Sequence, residues 1–174
     1  MGYVRQSRLT DAFELSLKLR QSDLDELAVS SDDHPLVILS RPFARPDFYQ
    51  TYTILDDHEN VIAMFGVSLD AVVWMLASDN LLKNFTDRFL RECRFWVDVL
   101  QGPHRVIYNY VDHRNRKSIS WLKFCGFEMS PTPVPHGPYG HPFYLLYRYK
   151  EGTINVHEQS ESTAPTAPAT SSTA

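Results

Sequence analysis

Apolar and polar residues change their spacing along the chain in a way that separates helices from strands. Tyr3-Val4-Arg5 reads as a short strand. Over residues 10–20, Ala12, Leu15 and Leu19 recur at helical spacing, with Thr10 as the capping residue. A second helix starts at Ser22, with Asp25 or Glu26 in capping-box-like spacing. Asp32-Asp33-His34-Pro35 ends it; residues 36–39 form a brief helical or extended piece, and residues 41–47, with two prolines, a loop. Residues 49–55 and 61–67 are β-branched and aromatic runs flanking the polar turn 56–60, which predicts an antiparallel hairpin. The nearly continuous apolar run 72–77 suits a strand buried on both faces.

Ser78-Asp79-Asn80 then caps a long helix. Leu82, Phe85, Phe89, Cys93, Trp96, Val97 and Leu100 mark its apolar face, Lys83, Asp87, Arg91 and Asp98 its polar one, and Gly102-Pro103 stops it. Residues 105–111 give a strand, 117–124 a short helix closed by Gly126-Phe127, and 143–149 a last strand. The order β-α-α-β-β-β-α-β-α-β predicts an α/β fold with a mixed sheet covered on both faces. Beyond Lys150 the composition turns to Ser, Thr, Ala and Pro, so residues 1–150 are expected to form one domain and 151–174 a disordered tail.

Composition narrows the function classes. The 174 residues, 43% of them hydrophobic, suffice for a core without covalent staples. Cys93 and Cys125 lie in apolar segments and read as small buried hydrophobes rather than a bridge, which suits a reducing compartment. The net charge of −4, with scattered basic residues, argues against a nucleic-acid surface. No run is long enough for a membrane span, and the first eight residues lack the apolar region of a signal peptide, so a cytosolic protein is expected.

Tyr108-Asn109-Tyr110-Val111-Asp112, then Asn115, then residues 118–124 and Gly126-Phe127 read as strand, turn, helix and strand start. That segment resembles the second half of a GNAT-type N-acetyltransferase domain, a fold in which two central parallel strands splay apart and acetyl-CoA lies in the notch. More narrowly, Trp74 running into Ala77-Ser78-Asp79, then Tyr108-Asn109-Tyr110-Val111, Asn115 and Trp121-Leu122-Lys123 resemble the small internal virion proteins of short-tailed podophages. This narrower resemblance implies a role in virion assembly or as an internal virion component. Other virion or assembly proteins would be its partners, and the host cytoplasm, then the virion, its location.

The resemblance also assigns candidate residues. Leu76, Ala77, Ser78 and Asn80 match the turn that cradles the cofactor's pyrophosphate, where small residues and a helix N-terminus offer donors. The turn holds no glycine, Ser78 or Asp79 has an oxygen that caps the helix, and Asp79 sets an anion against another anion. Asn115 matches the residue that helps hold the pantetheine arm; it reads equally as a cap. The family's thiolate-protonating Tyr is matched by Leu122, which transfers no proton, so Tyr108, Tyr110 or Tyr144 would have to replace it. Asp112, at the end of a strand, is the best placed candidate base; Asp70 and Glu59 are weaker. These residues frame two functions: a catalytically degenerate assembly protein, or an acetyl-CoA-dependent N-acetyltransferase with Asp112 as base and Tyr110 or Tyr144 as acid. No metal is expected, because the histidines of His136-Gly137-Pro138-Tyr139-Gly140-His141 lack Cys or carboxylate neighbours and read as a flexible loop. The aromatic residues 108–147 read as core, some of them as a partner surface.

Overall fold

The computed structural model describes residues 3–81 and 87–150 of the chain, and the backbone alone for 87–91. Its first half is an antiparallel sheet in sequence order: β1 (Tyr3–Gln6), β2 (Tyr49–Leu55), β3 (Val61–Ser68) and β4 (Val73–Ala77). The expected hairpin is β2–β3, whose register pairs Thr51 with Gly66 and Ile54 with Ala63. Every residue of β3 is buried, as the central strand of a sheet packed on both faces must be.

Between β1 and β2 lie α1 (Leu9–Ser16), α2 (Gln21–Ser30) and α3 (Pro35–Ala44). α1 starts before Thr10, which is not its cap. The Asp11 carboxylate accepts the Arg8 N–H at 2.8 Å, takes a two-pronged bond from Arg5 at 2.7 and 2.8 Å, and accepts from Thr53 at 2.7 Å. One buried anion thus satisfies the helix start and ties α1 to β1 and β2. The helix stops at Ser16 because Leu19 pairs with Ser78 in an isolated bridge at the end of β4. α2 begins after Arg20, so Ser22 lies inside it. α3 makes the piece expected at 36–39 helical and carries the helix into the expected loop as far as Ala44: Pro35 occupies the first turn, where its missing N–H has no partner to lose, and Pro42 lies near the far end.

The second half contains α4 (Asp87–Gln101), β5 (Val106–Asp112), α5 (Arg116–Phe124), β6 (Glu128–Met129), β7 (Val134–His136) and β8 (His141–Tyr149). β8 pairs antiparallel with β5 on one side and with β6 and β7 on the other. The expected histidine loop is therefore a hairpin, with Gly140 N–H on the Gly137 carbonyl and His136 stacked on Tyr110 at 4.2 Å. Gly137, at φ +73°, sits where an added Cβ would come within 2.7 Å of the Val29 carbonyl, so the turn packs tightly on the end of α2.

α1 and α3 cover one face of the first sheet around Leu15, Leu39, Leu55 and Met64. Cys93, Val97 and Leu100 of α4 and Leu122 of α5 join Ile54, Phe65, Ile107 and Leu146 in the larger core. The apolar face expected of the long helix is borne out at Cys93, Trp96, Val97 and Leu100. Leu82, Lys83 and Phe85, the side chains of Asp87, Phe89 and Arg91, and the tail 151–174 lie outside the described residues.

Candidate functional site: the notch between two splayed strands

Among the described residues, the two sheets share one backbone bridge. Val72 and Tyr108 form a single parallel bridge, with Tyr108 N–H on the Ala71 carbonyl at 3.0 Å, and beyond it β4 and β5 diverge. The wedge between them is a cavity of about 90 Å³ lined by Trp74, Met75 and Leu76 of β4, Asn109 and Val111 of β5, and Cys93, Trp96, Trp121 and Leu122 of the helices. β4 is therefore less buried than its apolar run suggests: Trp74, Met75 and Leu76 are only half-buried, because one edge of the strand is a cavity wall. The β3–β4 register, with Ser78 N–H on Ile62 and Ser68 N–H on Val72, turns the amides of Val73, Met75 and Ala77 toward that open edge.

α2 crosses the wide end of the wedge as a strap. At one side the buried Asp23 carboxylate accepts the Ala77 N–H at 2.8 Å and is paired with Arg20 at 2.8 Å, while Arg20 N–H bonds the Ala77 carbonyl at 2.9 Å. At the other, Asn115 donates from Nδ2 to Glu26 Oε2 at 2.8 Å. Asp23 and Glu26, one helical turn apart, both line the cavity. Burial raises both carboxyls, with help from neighbouring anions: Asp79 acts on Asp23, and Asp23 and Asp112 act on Glu26, which reaches about 7.

Each candidate read from the sequence has a definite place. Leu76 lines the notch, whereas Ala77 is buried and its amide is taken by Asp23. Ser78 sends both its N–H and its hydroxyl to the Ile62 carbonyl, at 2.8 and 3.1 Å, so its side chain donates to a strand. Asn80 and Leu81 have helical backbone, and the residues after them lie outside the described ones. Asn115 caps α5 through Oδ1 on the Ser118 N–H at 3.2 Å, as one of its two readings has it, and it also lines the notch. Asp112 is 3% exposed and bound by Arg114 through its backbone N–H, Nε and Nη2; that pairing, the largest influence, holds its carboxyl below the usual range. It is already ionised, but its oxygens are occupied.

Tyr110 points to the other face of β5, beside Tyr108, Tyr147 and Tyr149 in a shallow groove. Tyr144, opposite Val111, packs on the core without lining the cavity. Leu122, 4% exposed, lines the wedge where the family's acid would stand. Sequence reasoning missed Asp23 and Glu26 as cavity residues. The available signal was two carboxylates at i and i+3 on the face that also carries Leu27. Among the described residues no group of three His, Cys, Asp or Glu side chains could hold a metal ion.

The wedge fits one end of acetyl-CoA better than the other. Its apolar and aromatic walls and the free edge of β4 suit a thin amide-bearing arm, which could pair with an open strand edge. The end of β4, where a diphosphate would sit, instead carries Asp23, with Asp79 beside it and the Ala77 donor engaged.

No family model matches the sequence, and no curated protein matches it. Similarity appears in solved structures. Spermidine N-acetyltransferase from Vibrio cholerae in complex with CoA and spermine superposes with a TM-score of 0.61 at 13% identity, over 85% of this chain and 95% of that one. Ribosomal-protein-S5-alanine acetyltransferase from Vibrio fischeri gives 0.60 at 15%, over 87% and 94%. An aminoglycoside acetyltransferase in complex with coenzyme A gives 0.60 at 16%, over 86% and 95%. With these likenesses spanning nearly the whole described chain, and with the parallel strands splaying after one bridge, the chain has the fold of the GNAT acetyltransferases.

Proposed function

We propose that this chain is a GNAT-fold protein that has lost the phosphate end of its cofactor site, and that it acts in virion assembly or as an internal virion component without catalysing acetyl transfer. One observation carries the loss: the buried Asp23 carboxylate holds the Ala77 amide at the end of β4, with Asp79 adding a second negative charge. An anionic ligand would have to displace a paired, desolvated carboxylate to reach those donors. Leu122 in the wall agrees, since it offers a leaving thiolate no proton. The virion setting rests on the motif resemblance around Trp74, Tyr108 and Trp121. Partner proteins would meet the tyrosine groove of Tyr108, Tyr110, Tyr147 and Tyr149 on the outer sheet face. Omitting the protein from the phage that encodes it should abolish or sharply reduce infectious particles; normal particle yield would overturn this reading.

A second reading, an acetyl-CoA-dependent N-acetyltransferase acting on a protein or small amine, is favoured by Glu26 and by the similar solved structures, which are named as acetyltransferases. A cavity-lining carboxyl held near 7 by burial suits removal of a proton from an ammonium group at neutral pH, and Asn115 fixes its orientation. Asp112, bound by Arg114, gives way to Glu26 as the base in this reading. Acetyl transfer to a panel of polyamines and peptide N-termini, lost in Glu26→Gln, would establish it. No transfer to any acceptor would remove it.

A further inference from the structure

Cys93 of α4 and Cys125 at the end of α5 come from separate elements and meet in the core. Their sulfurs are 3.5 Å apart, with the Cys125 thiol donating to Cys93. Both are reduced and almost fully buried, yet Cys93 lines the wedge between β4 and β5 and Cys125 does not, so the cavity reaches one residue of the pair. We propose that Cys93 and Cys125 form an oxidisable dithiol, in which Cys93 reacts with a small peroxide entering the notch and Cys125 resolves the product to an intramolecular disulfide.

Access sets the order of events, since Cys93 lines the cavity and Cys125 does not. The hydrogen bond from Cys125, assisted by Trp121 and opposed by burial, brings the Cys93 thiol down to about 7, while the same contact and burial push Cys125 up. The Cys93 thiolate attacks one oxygen of hydrogen peroxide, the O–O bond breaks, and hydroxide leaves, giving Cys93 sulfenic acid. The Cys125 sulfur then attacks Cys93 Sγ, the S–O bond breaks, and water leaves with the Cys125 proton. One peroxide is reduced to two waters, and two thiols are oxidised to one disulfide. Once Cys93 is no longer a thiolate, its negative charge stops raising Cys125, which frees the second thiol to react. The sulfurs must close from 3.5 Å to about 2.05 Å. That closure pins α4 to the end of α5.

The folded full chain would be treated with hydrogen peroxide in graded excess, then alkylated and read by intact mass and peptide mapping. The expected result is loss of two hydrogens without alkylation and one Cys93–Cys125 linked peptide pair, reversed by dithiothreitol. Cys125→Ser should stop at a Cys93 sulfenic acid captured by dimedone, and Cys93→Ser should leave Cys125 unmodified. The proposal is overturned if the wild-type chain keeps both thiols at peroxide levels that oxidise them in the urea-unfolded chain. It is equally overturned if Cys125 is the residue that captures dimedone, or if the disulfide joins two chains.

Discussion

Glu26 and Asp112 flank the same turn before α5, yet their surroundings pull their protons in opposite directions. Arg114 stabilises the Asp112 anion, so that stabilisation is present at neutral pH and is lost only as pH falls through its lowered value. Burial raises Glu26, so the fold favours its protonated form. The stabilisation it gives is complete below the ordinary carboxyl range and is lost as pH rises through about 7. Glu26→Gln keeps an oxygen for Asn115 and removes the charge. Urea denaturation should find the variant more stable than wild type at pH 8, by of order 2 kcal/mol, and nearly equal at pH 5. Equal stability at both values would mean that Glu26 is not held in a poorly solvated site.

At the scale of elements, α2 works as a strap because its polar residues face inward at both ends of the wedge. Asn115 joins that strap to the α5 start. Asn115→Ala should therefore cost about 1 kcal/mol for the cap, with a further loss from the Glu26 contact, measured as a drop in the urea midpoint. Asn115→Asp should recover the cap portion only. A different constraint acts between strands. A methyl group at Gly66 would lie 2.3 Å from the Gln50 carbonyl of β2, so Gly66→Ala should destabilise by about 3 kcal/mol or leave the protein insoluble.

Sequence patterns recovered the elements whose periodicity comes from burial: the β2–β3 hairpin, α4 beyond Cys93, β5 and α5. They failed where local chemistry was ambiguous. Pro35 read only as the stop of the second helix although it opens α3, Pro42 read as loop although it lies inside α3, and β6 and β7 are too short to carry a period. The site was legible only in part. Asn115 and Leu122 were placed by motif, but spacing cannot tell a cavity-facing carboxylate on α2 from a solvated one, so Glu26 passed as an ordinary helix residue.

For the whole molecule, two sheets joined by one parallel bridge leave a wedge that the remaining elements either line or close. The C-terminal strand β8 completes the second sheet, and Lys150 N–H still bonds the Arg105 carbonyl at 2.8 Å. A chain ending at residue 150 should keep the thermal midpoint of the full chain within about 2 °C; a larger fall would mean that residues 151–174 contribute to the core. In the proposed reading, Asp23 and Asp79 deny the diphosphate its place while the apolar wedge persists. Isothermal titration of the full chain with millimolar acetyl-CoA tests it most directly, with Asp23→Asn/Asp79→Gly titrated in parallel. No saturable heat is expected for wild type, and measurable binding for the double variant. Saturable, micromolar binding of acetyl-CoA by the wild-type chain would contradict it.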